Sequence, residues 1–231
     1  MTSSVGVGSL GSVGGSDQIG DHSLQTLAHM LLLEKLEKVD GDVRDEVRVL
    51  TGRQQRIEFL DRYLREMNAS VESATETVDR HNLEDVIQDG LKMKDEADQY
   101  RIQADKIEAE IGALREEDEF GNVQLIARKE SEAKWLREST DEIYTTLRAC
   151  DILTKDGEIV EGPSVYLKES TRRLLENMRS YNKILQTRNN TQSQMVQRLN
   201  NERHEALMLA KDIQRTINEI MKRIASHIAG R

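Results

Sequence analysis

Aromatic side chains are scarce in this chain: one Trp, two Phe and five Tyr make up 3% of 231 residues. So few large flat side chains leave little to fill a thick globular core, while 32% charged residues suit helices with one apolar and one solvated face. Proline occurs once, at Pro163, so long stretches carry no helix breaker. Cysteine also occurs once; Cys150 forms no internal disulfide and implies no oxidative framework. It lies on an apolar seam and reads as a small core residue. No apolar run reaches bilayer length: Leu27 to Leu33 is the most apolar and is far too short, so no membrane span is expected. Residues 1–22 lack Lys and Arg, a continuous apolar stretch and a small-residue cleavage site, which excludes a Sec-type cleaved signal peptide.

The motifs of chemistry are missing too. The five histidines form no HExxH or ExxH arrangement, there is no CxxC, no Gly-rich loop between a strand and a helix, and no GxSxG elbow. Cys150 is not placed as a nucleophile. The Asp and Glu residues fall on solvent faces of helices, where paired carboxylates need no catalysis. The expectation is a non-enzyme with no cofactor, no metal and no catalytic residue, acting through its surfaces.

What the chain does have is heptad periodicity at both ends. From Pro163, whose fixed φ and missing N–H suit a first helical turn, residues 164–229 run without Pro or Gly. They would make about 100 Å of helix at 1.5 Å per residue. One seam reads Leu167, Leu174, Tyr181, Arg188, Met195, Glu202 and Leu209. The other reads Thr171, Met178, Leu185, Gln192, Leu199, Ala206 and Ile213. Past Ile213 the step shifts to Ile217, Ile220, Ile224 and Ile228. Near the N-terminus every seventh residue from Leu36 is apolar: Leu36, Val43, Leu50, Ile57, Leu64, Val71 and Val78. Its companion seam, Val39, Glu46, Arg53, Leu60, Met67 and Ala74, is mixed. Charged seam residues Glu46, Arg53, Arg188 and Glu202 either fix register across helices or lie on a solvated seam edge, the plainer reading for any one of them. Helices this long do not hold their own order in water and need partners.

The segments divide as follows. Residues 1–22, Gly/Ser-rich, are expected to be disordered. Residues 23–81 form the N-terminal coiled-coil helix, capped by Asp21 or Ser23, with a corner at Arg80-His81-Asn82. Residues 82–150 are a helical middle region with helices near 83–117 and 123–150, separated by Asp118-Glu119-Phe120-Gly121-Asn122. Trp135 lies beside the second helix's seam and reads as a packing anchor. Residues 151–163 contain Asp156-Gly157 between short apolar pairs, a signal for a small β-hairpin or tight loop. Residues 164–231 are the long C-terminal helix. Charge is uneven within a net −9: residues 82–121 carry 13 acidic and 5 basic side chains, and residues 164–231 carry 6 and 13. The net charge argues against a general nucleic-acid binder. The basic residues are spread around the C-terminal helix without interleaved aromatics, so that helix is expected to pack against acidic helices of its own or a neighbouring copy rather than bind nucleic acid. The fold class that emerges is all-α: an elongated coiled coil of long N- and C-terminal helices with a helical middle insertion. The residues leave open whether the long helices pair within or between chains.

Three stretches carry a family resemblance: Ser23-Leu24-Gln25-Thr26-Leu27 with Met30-Leu31-Leu32-Leu33-Glu34, the segment from Asp151 to Val160, and the run from Asn189-Asn190-Thr191-Gln192-Ser193-Gln194-Met195 to Ile224. In these the chain resembles the hydrophilic translocators of bacterial type III secretion, meaning needle-tip proteins and, more closely, EspA-type needle-extending filament proteins. The resemblance rests on architecture and composition at both ends of the chain and covers little of residues 83–150. It implies an antiparallel intramolecular coiled coil, an uncleaved export signal in residues 1–22, and secretion to the bacterial surface. It also implies refolding at the needle's distal end, self-assembly into a tip or filament, and support for translocator insertion into host membranes. The partners implied are further copies of the chain, the needle subunit, the hydrophobic translocators and a cytosolic secretion chaperone. The coiled-coil and self-assembly residues would be Leu36, Val43, Leu50, Ile57, Leu64, Val71, Leu199, Ile213, Ile217, Ile220, Ile224 and Ile228. The acidic middle helix and the arginines of the C-terminal helix depart from the filament proteins, so tip complex and long filament both stay open. Two other readings compete: a generic dimeric coiled-coil scaffold or adaptor, and a type III gatekeeper or effector.

Overall fold

The computed structural model describes residues 16–118 and 121–230. The elements in chain order are α1 (Ser16–Ala69), β1 (Val78–Asp79), a 3-10 turn (Arg80–Leu83), α2 (Glu84–Asp118), α3 (Val123–Ala149), β2 (Val165–Tyr166) and α4 (Lys168–Ala229). The class is all-α: two antiparallel helix pairs and one two-stranded sheet. Contacts divide the chain into two compact units, Asp45–Val196 and the two chain ends up to Arg44 and from Gln197.

The larger unit holds the core. Leu60, Tyr63 and Met67 of α1, Val86 of α2, Leu147 of α3, and Met178 and Leu185 of α4 are all fully buried. Each such side chain contributes roughly 1.5–3 kcal/mol of apolar burial. In this unit α1 and α4 run antiparallel in heptad register: Asn182 donates to Asp61 at 2.5 Å and Asn189 to Gln54 at 3.2 Å, so seven residues forward on α4 match seven back on α1. Helices α2 and α3 form a hairpin. The Thr140 hydroxyl lies 3.3 Å from the Ala97 carbonyl, and further along Arg137 bonds Asp105 and Glu108, Lys129 bonds Glu110, and Arg115 bonds Glu130. The acidic middle helix thus meets the cations of its own hairpin partner, and Arg62 of α1 at Asp89, rather than those of α4. Gly90 lets α2 come close: a Cβ there would lie 2.5 Å from Ile152 Cδ1 and 3.2 Å from Leu147 Cδ2 and Phe59 Cζ.

The base of this unit departs from expectation. The N-terminal helix stops at Ala69, not near residue 81. Asn68 Nδ2 folds back on the Leu64 carbonyl at 2.6 Å as the helix ends. Val71 and Val78, expected on the heptad, instead bridge one another across a turn, and Val78–Asp79 pairs antiparallel with Tyr166 and Val165. Pro163 lies in the loop ahead of β2, so α4 starts at Lys168 rather than at residue 164. The expected hairpin is present in miniature, with Leu153 bridging Ile159. Its loop has three residues, 155–157. Gly157 N–H donates to the Thr154 carbonyl at 3.2 Å, Thr154 N–H donates to Glu158 at 2.8 Å, and Gly157 holds φ +84°.

The smaller unit is built from the outer segments of α1 and α4. Arg203 pairs with Asp40 at 2.5 Å, and Val39, Leu199 and Ala206 are buried. Helix α1 is already helical from Ser16, ahead of the expected start at Asp21 or Ser23. The expected disordered export segment otherwise falls on residues 1–15, outside the described residues.

Candidate functional site

Of the expected coiled-coil residues, Ile57 is core in the larger unit and Leu50 and Leu64 are half-buried there. Val71 has left the helix. In the smaller unit Leu199 is buried, Leu36, Val43, Ile213, Ile217, Ile220 and Ile224 are half-buried, and Ile228 is 72% exposed.

The seam of α4 differs from the sequence reading in an informative way. Leu167, Met195 and Leu209 are exposed, while Asn182 is buried and Asn189, Val196, Ala210, Ile217 and Ile224 are half-buried. The companion to Met178, Leu185 and Leu199 is therefore the row beginning at Asn182 and Asn189. That row runs into Ile217 and Ile224 without any shift past Ile213. Polar residues of this row donate to α1: Asn182 to Asp61, Asn189 to Gln54 and Arg203 to Asp40, while the side-chain oxygens of Asn182 and Asn189 are buried without a hydrogen-bond partner among the described residues.

Beside this inner seam the last part of α4 carries another. Leu207, Ala210, Gln214, Ile217, Met221, Ile224 and Ile228 follow steps of three and four, apolar at every place but Gln214. They share Ala210, Ile217 and Ile224 with the inner seam, but Leu207 and Met221 are 47% and 52% exposed. A helix with one partner needs one seam; two adjacent seams fit a helix packed between partners. On α1, Leu27, Met30, Leu31 and Leu33 are all exposed over more than half their surface, leaving that turn apolar around most of its circumference. These exposed apolar residues of α1 and α4 all belong to the smaller unit.

A second cluster lies inside the larger unit. Arg53 reaches the Glu142 carboxylate at 2.7 Å, Arg56 at 2.6 Å and Arg188 at 3.6 Å. Arg53 and Arg56 are only 8% and 5% exposed. Two of the charged seam residues, Arg53 and Arg188, thus converge on one carboxylate rather than both sitting on a solvated edge; Glu142 lies on α3, off both heptad seams, so no spacing marked it as their partner. Burial alone would raise the Glu142 carboxyl, but the hydrogen bonds and charges of Arg53 and Arg56 outweigh it and hold it below its usual value. Trp135 packs against Tyr100 with ring centres 5.4 Å apart, and Arg48 lies over the indole at 4.4 Å. The Glu142 cluster is an internal tie between α1, α3 and α4. The Cys150 thiol is fully buried, and that burial pushes its pKa far up.

Among the described residues no group of three or more His, Cys, Asp or Glu side chains is placed to hold a metal ion, and no helix is long and apolar enough to cross a membrane. No protein-family model, curated protein or solved structure matches the chain significantly.

Proposed function

We propose that this chain is a self-assembling structural subunit, exported by a bacterial type III secretion apparatus and built into the needle tip or a needle-extending filament, where it supports translocator insertion into host membranes. The observation that carries self-assembly is the outer seam of α4, from Leu207 to Ile228, apolar at every place but Gln214, with Leu207, Met221 and Ile228 exposed. A second copy supplies the matching surface, since the same unit also presents the apolar turn Leu27 to Leu33. The secretion role rests on the sequence pattern: the Gly/Ser-rich start, the heptad helices at both ends and the small Asp-Gly loop between them. In this reading the chain performs no catalysis and needs no cofactor. A coiled-coil-like pair suits export as an unfolded chain, because local helix formation and apolar registry are enough to refold it. Its partners are other copies, the needle subunit, the hydrophobic translocators and a chaperone that covers the apolar turns before export.

The test places the chain in a type III-competent bacterium and follows it in the culture supernatant. Wild type should appear outside the cell in assembled form. The variant Leu207→Glu/Met221→Glu/Ile228→Glu should be exported equally but stay unassembled, because these side chains are exposed in the subunit and their replacement leaves its fold intact. Retention of wild type inside the cell sinks the secretion role. Normal assembly of the triple variant sinks the outer seam.

A further inference from the structure

We infer that the Glu142 cluster is also a binding site for a divalent tetrahedral oxyanion, phosphate or sulfate, held by Arg56 and Arg188. The four side chains are out of electrical balance. One carboxylate faces three guanidinium groups, Arg53 at 2.7 Å, Arg56 at 2.6 Å and Arg188 at 3.6 Å. An arginine keeps its charge in a protein, and a charge withdrawn from water needs a counter-charge. Both oxygens of Glu142 are already engaged by Arg53 and Arg56. The Arg188 contact is longer than a hydrogen bond, and Arg188 has no closer acceptor among the described residues. Arg56 is 5% exposed, yet its Nε is buried with no acceptor among the described residues.

These two under-used arginines, one on α1 and one on α4, come together at Tyr181. The Tyr181 hydroxyl donates to the Glu142 carbonyl at 3.4 Å and lies within electrostatic reach of both guanidinium groups. The cluster is not sealed: the Glu142 side chain is 14% exposed and that of Arg188 is 57% exposed, so solvent reaches it where Arg188 stands. Three positive charges against one negative leave two over. A dianion brings the four side chains to neutrality, which chloride or a single carboxylate does not. Tetrahedral oxygens also suit the planar fork of a guanidinium and can accept from two arginines at once. Bound there, the ion joins α1 to α4 beside the tie that Glu142 makes between α1 and α3. This site stands whether or not the chain is exported or self-assembles.

The probe is inorganic phosphate, titrated into the full-length protein at mildly alkaline pH in a chloride buffer of constant ionic strength. Phosphate stays in the millimolar range, so that salting effects on the whole surface remain small. Calorimetry measures binding, and helical circular dichroism measures the melting temperature. At about ten times its dissociation constant phosphate should raise the melting temperature by about 3 °C, and chloride of equal ionic strength should not. Arg188→Gln, at a side chain more than half exposed, should weaken binding at least about tenfold. Glu142→Gln removes the like charge beside the ion and should tighten binding at least about tenfold, with part of its lost melting temperature regained in phosphate. Phenyl phosphate is the second probe: affinity equal to that of inorganic phosphate assigns the site to phosphate esters as well, and weaker binding assigns it to the free ion, both in accord with the inference. Equal melting temperatures in phosphate and chloride, an affinity unmoved by Arg188→Gln, or weaker binding by folded Glu142→Gln would each overturn it. If Glu142→Gln does not fold, Arg188→Gln decides alone.

Discussion

Replacing Glu142 by Gln removes one charge and almost no volume, so the loss it causes measures what the buried carboxylate does for Arg53 and Arg56. In the native unit Glu142 accepts from Arg53 Nε at 3.2 Å, Arg53 Nη2 at 2.7 Å and Arg56 Nη2 at 2.6 Å. After Glu142→Gln both guanidinium groups stay buried with one neutral acceptor between them. Breaking a buried pair by removing one partner costs roughly 3–5 kcal/mol, and the retained amide oxygen argues for the lower end, about 3 kcal/mol. Arg188 adds little to this, because its half-exposed side chain can turn to water. Urea unfolding followed by helical circular dichroism should show the midpoint falling by about 1 M, for a slope of roughly 2–3 kcal/mol/M. The variant Arg53→Met/Glu142→Met/Arg56→Met should recover most of the loss, since apolar side chains of similar size need no counter-ion. The pH dependence has a fixed sign. The folded carboxyl lies below its unfolded value, so its stabilisation is complete above about pH 4.3 and is lost as pH falls through the folded value. Wild type and Glu142→Gln should therefore converge in stability as pH falls through the lowered folded value of Glu142. A loss under about 1 kcal/mol at neutral pH, or a triple variant no better than the single one, would refute a dry, charge-dependent tie.

Gly90→Ala should destabilise the larger unit by about 1 kcal/mol: the helix gains about 1 kcal/mol of propensity, but the new methyl meets buried Ile152 and Leu147, and overpacking costs roughly 1–3 kcal/mol. A rise in the urea midpoint would show that this packing yields. Gly157→Ala should cost about 1 kcal/mol through its φ of +84°, with helix content unchanged; an unaltered melting curve would contradict the three-residue loop. Cys150 should resist iodoacetamide at pH 8 in the native protein and react at the rate of a free thiol in urea, because burial holds its pKa far above the ordinary thiol value. Rapid native labelling would place that thiol outside the core.

Much of the architecture was legible because it is local. The α2 and α3 boundaries follow from apolar periodicity and the Gly121-Asn122 turn, and they match the structure to within a residue or two. The α1 seam from Leu36 to Met67 was readable for the same reason. What failed was non-local. Two-residue strands at Val78–Asp79 and Val165–Tyr166 leave no pattern of their own, and their pairing joins positions far apart in sequence. Val71 and Val78 extended the heptad by spacing alone while belonging to a turn. On α4 the expected seam holds at Leu174 and Tyr181, which pack in the core, but farther along Met195 and Leu209 outscored Asn189 and Arg203 by hydrophobicity. Yet the polar residues face α1, because each has a partner there that one helix's sequence does not reveal. The Glu142 centre was half visible, in charged seam residues without an evident partner. The outer seam could have been found by testing each row of α4 for a second set of three-and-four steps, which the long isoleucine run obscured.

The most direct test of self-assembly is light scattering coupled to size-exclusion chromatography on the full-length chain over a wide concentration series, with negative-stain imaging of the same fractions. An uncovered outer seam predicts mass that grows with concentration and rings or filaments in the images. A single fixed species at every concentration, whether monomer or dimer, would contradict it; a dimer would return the chain to the class of simple coiled-coil scaffolds.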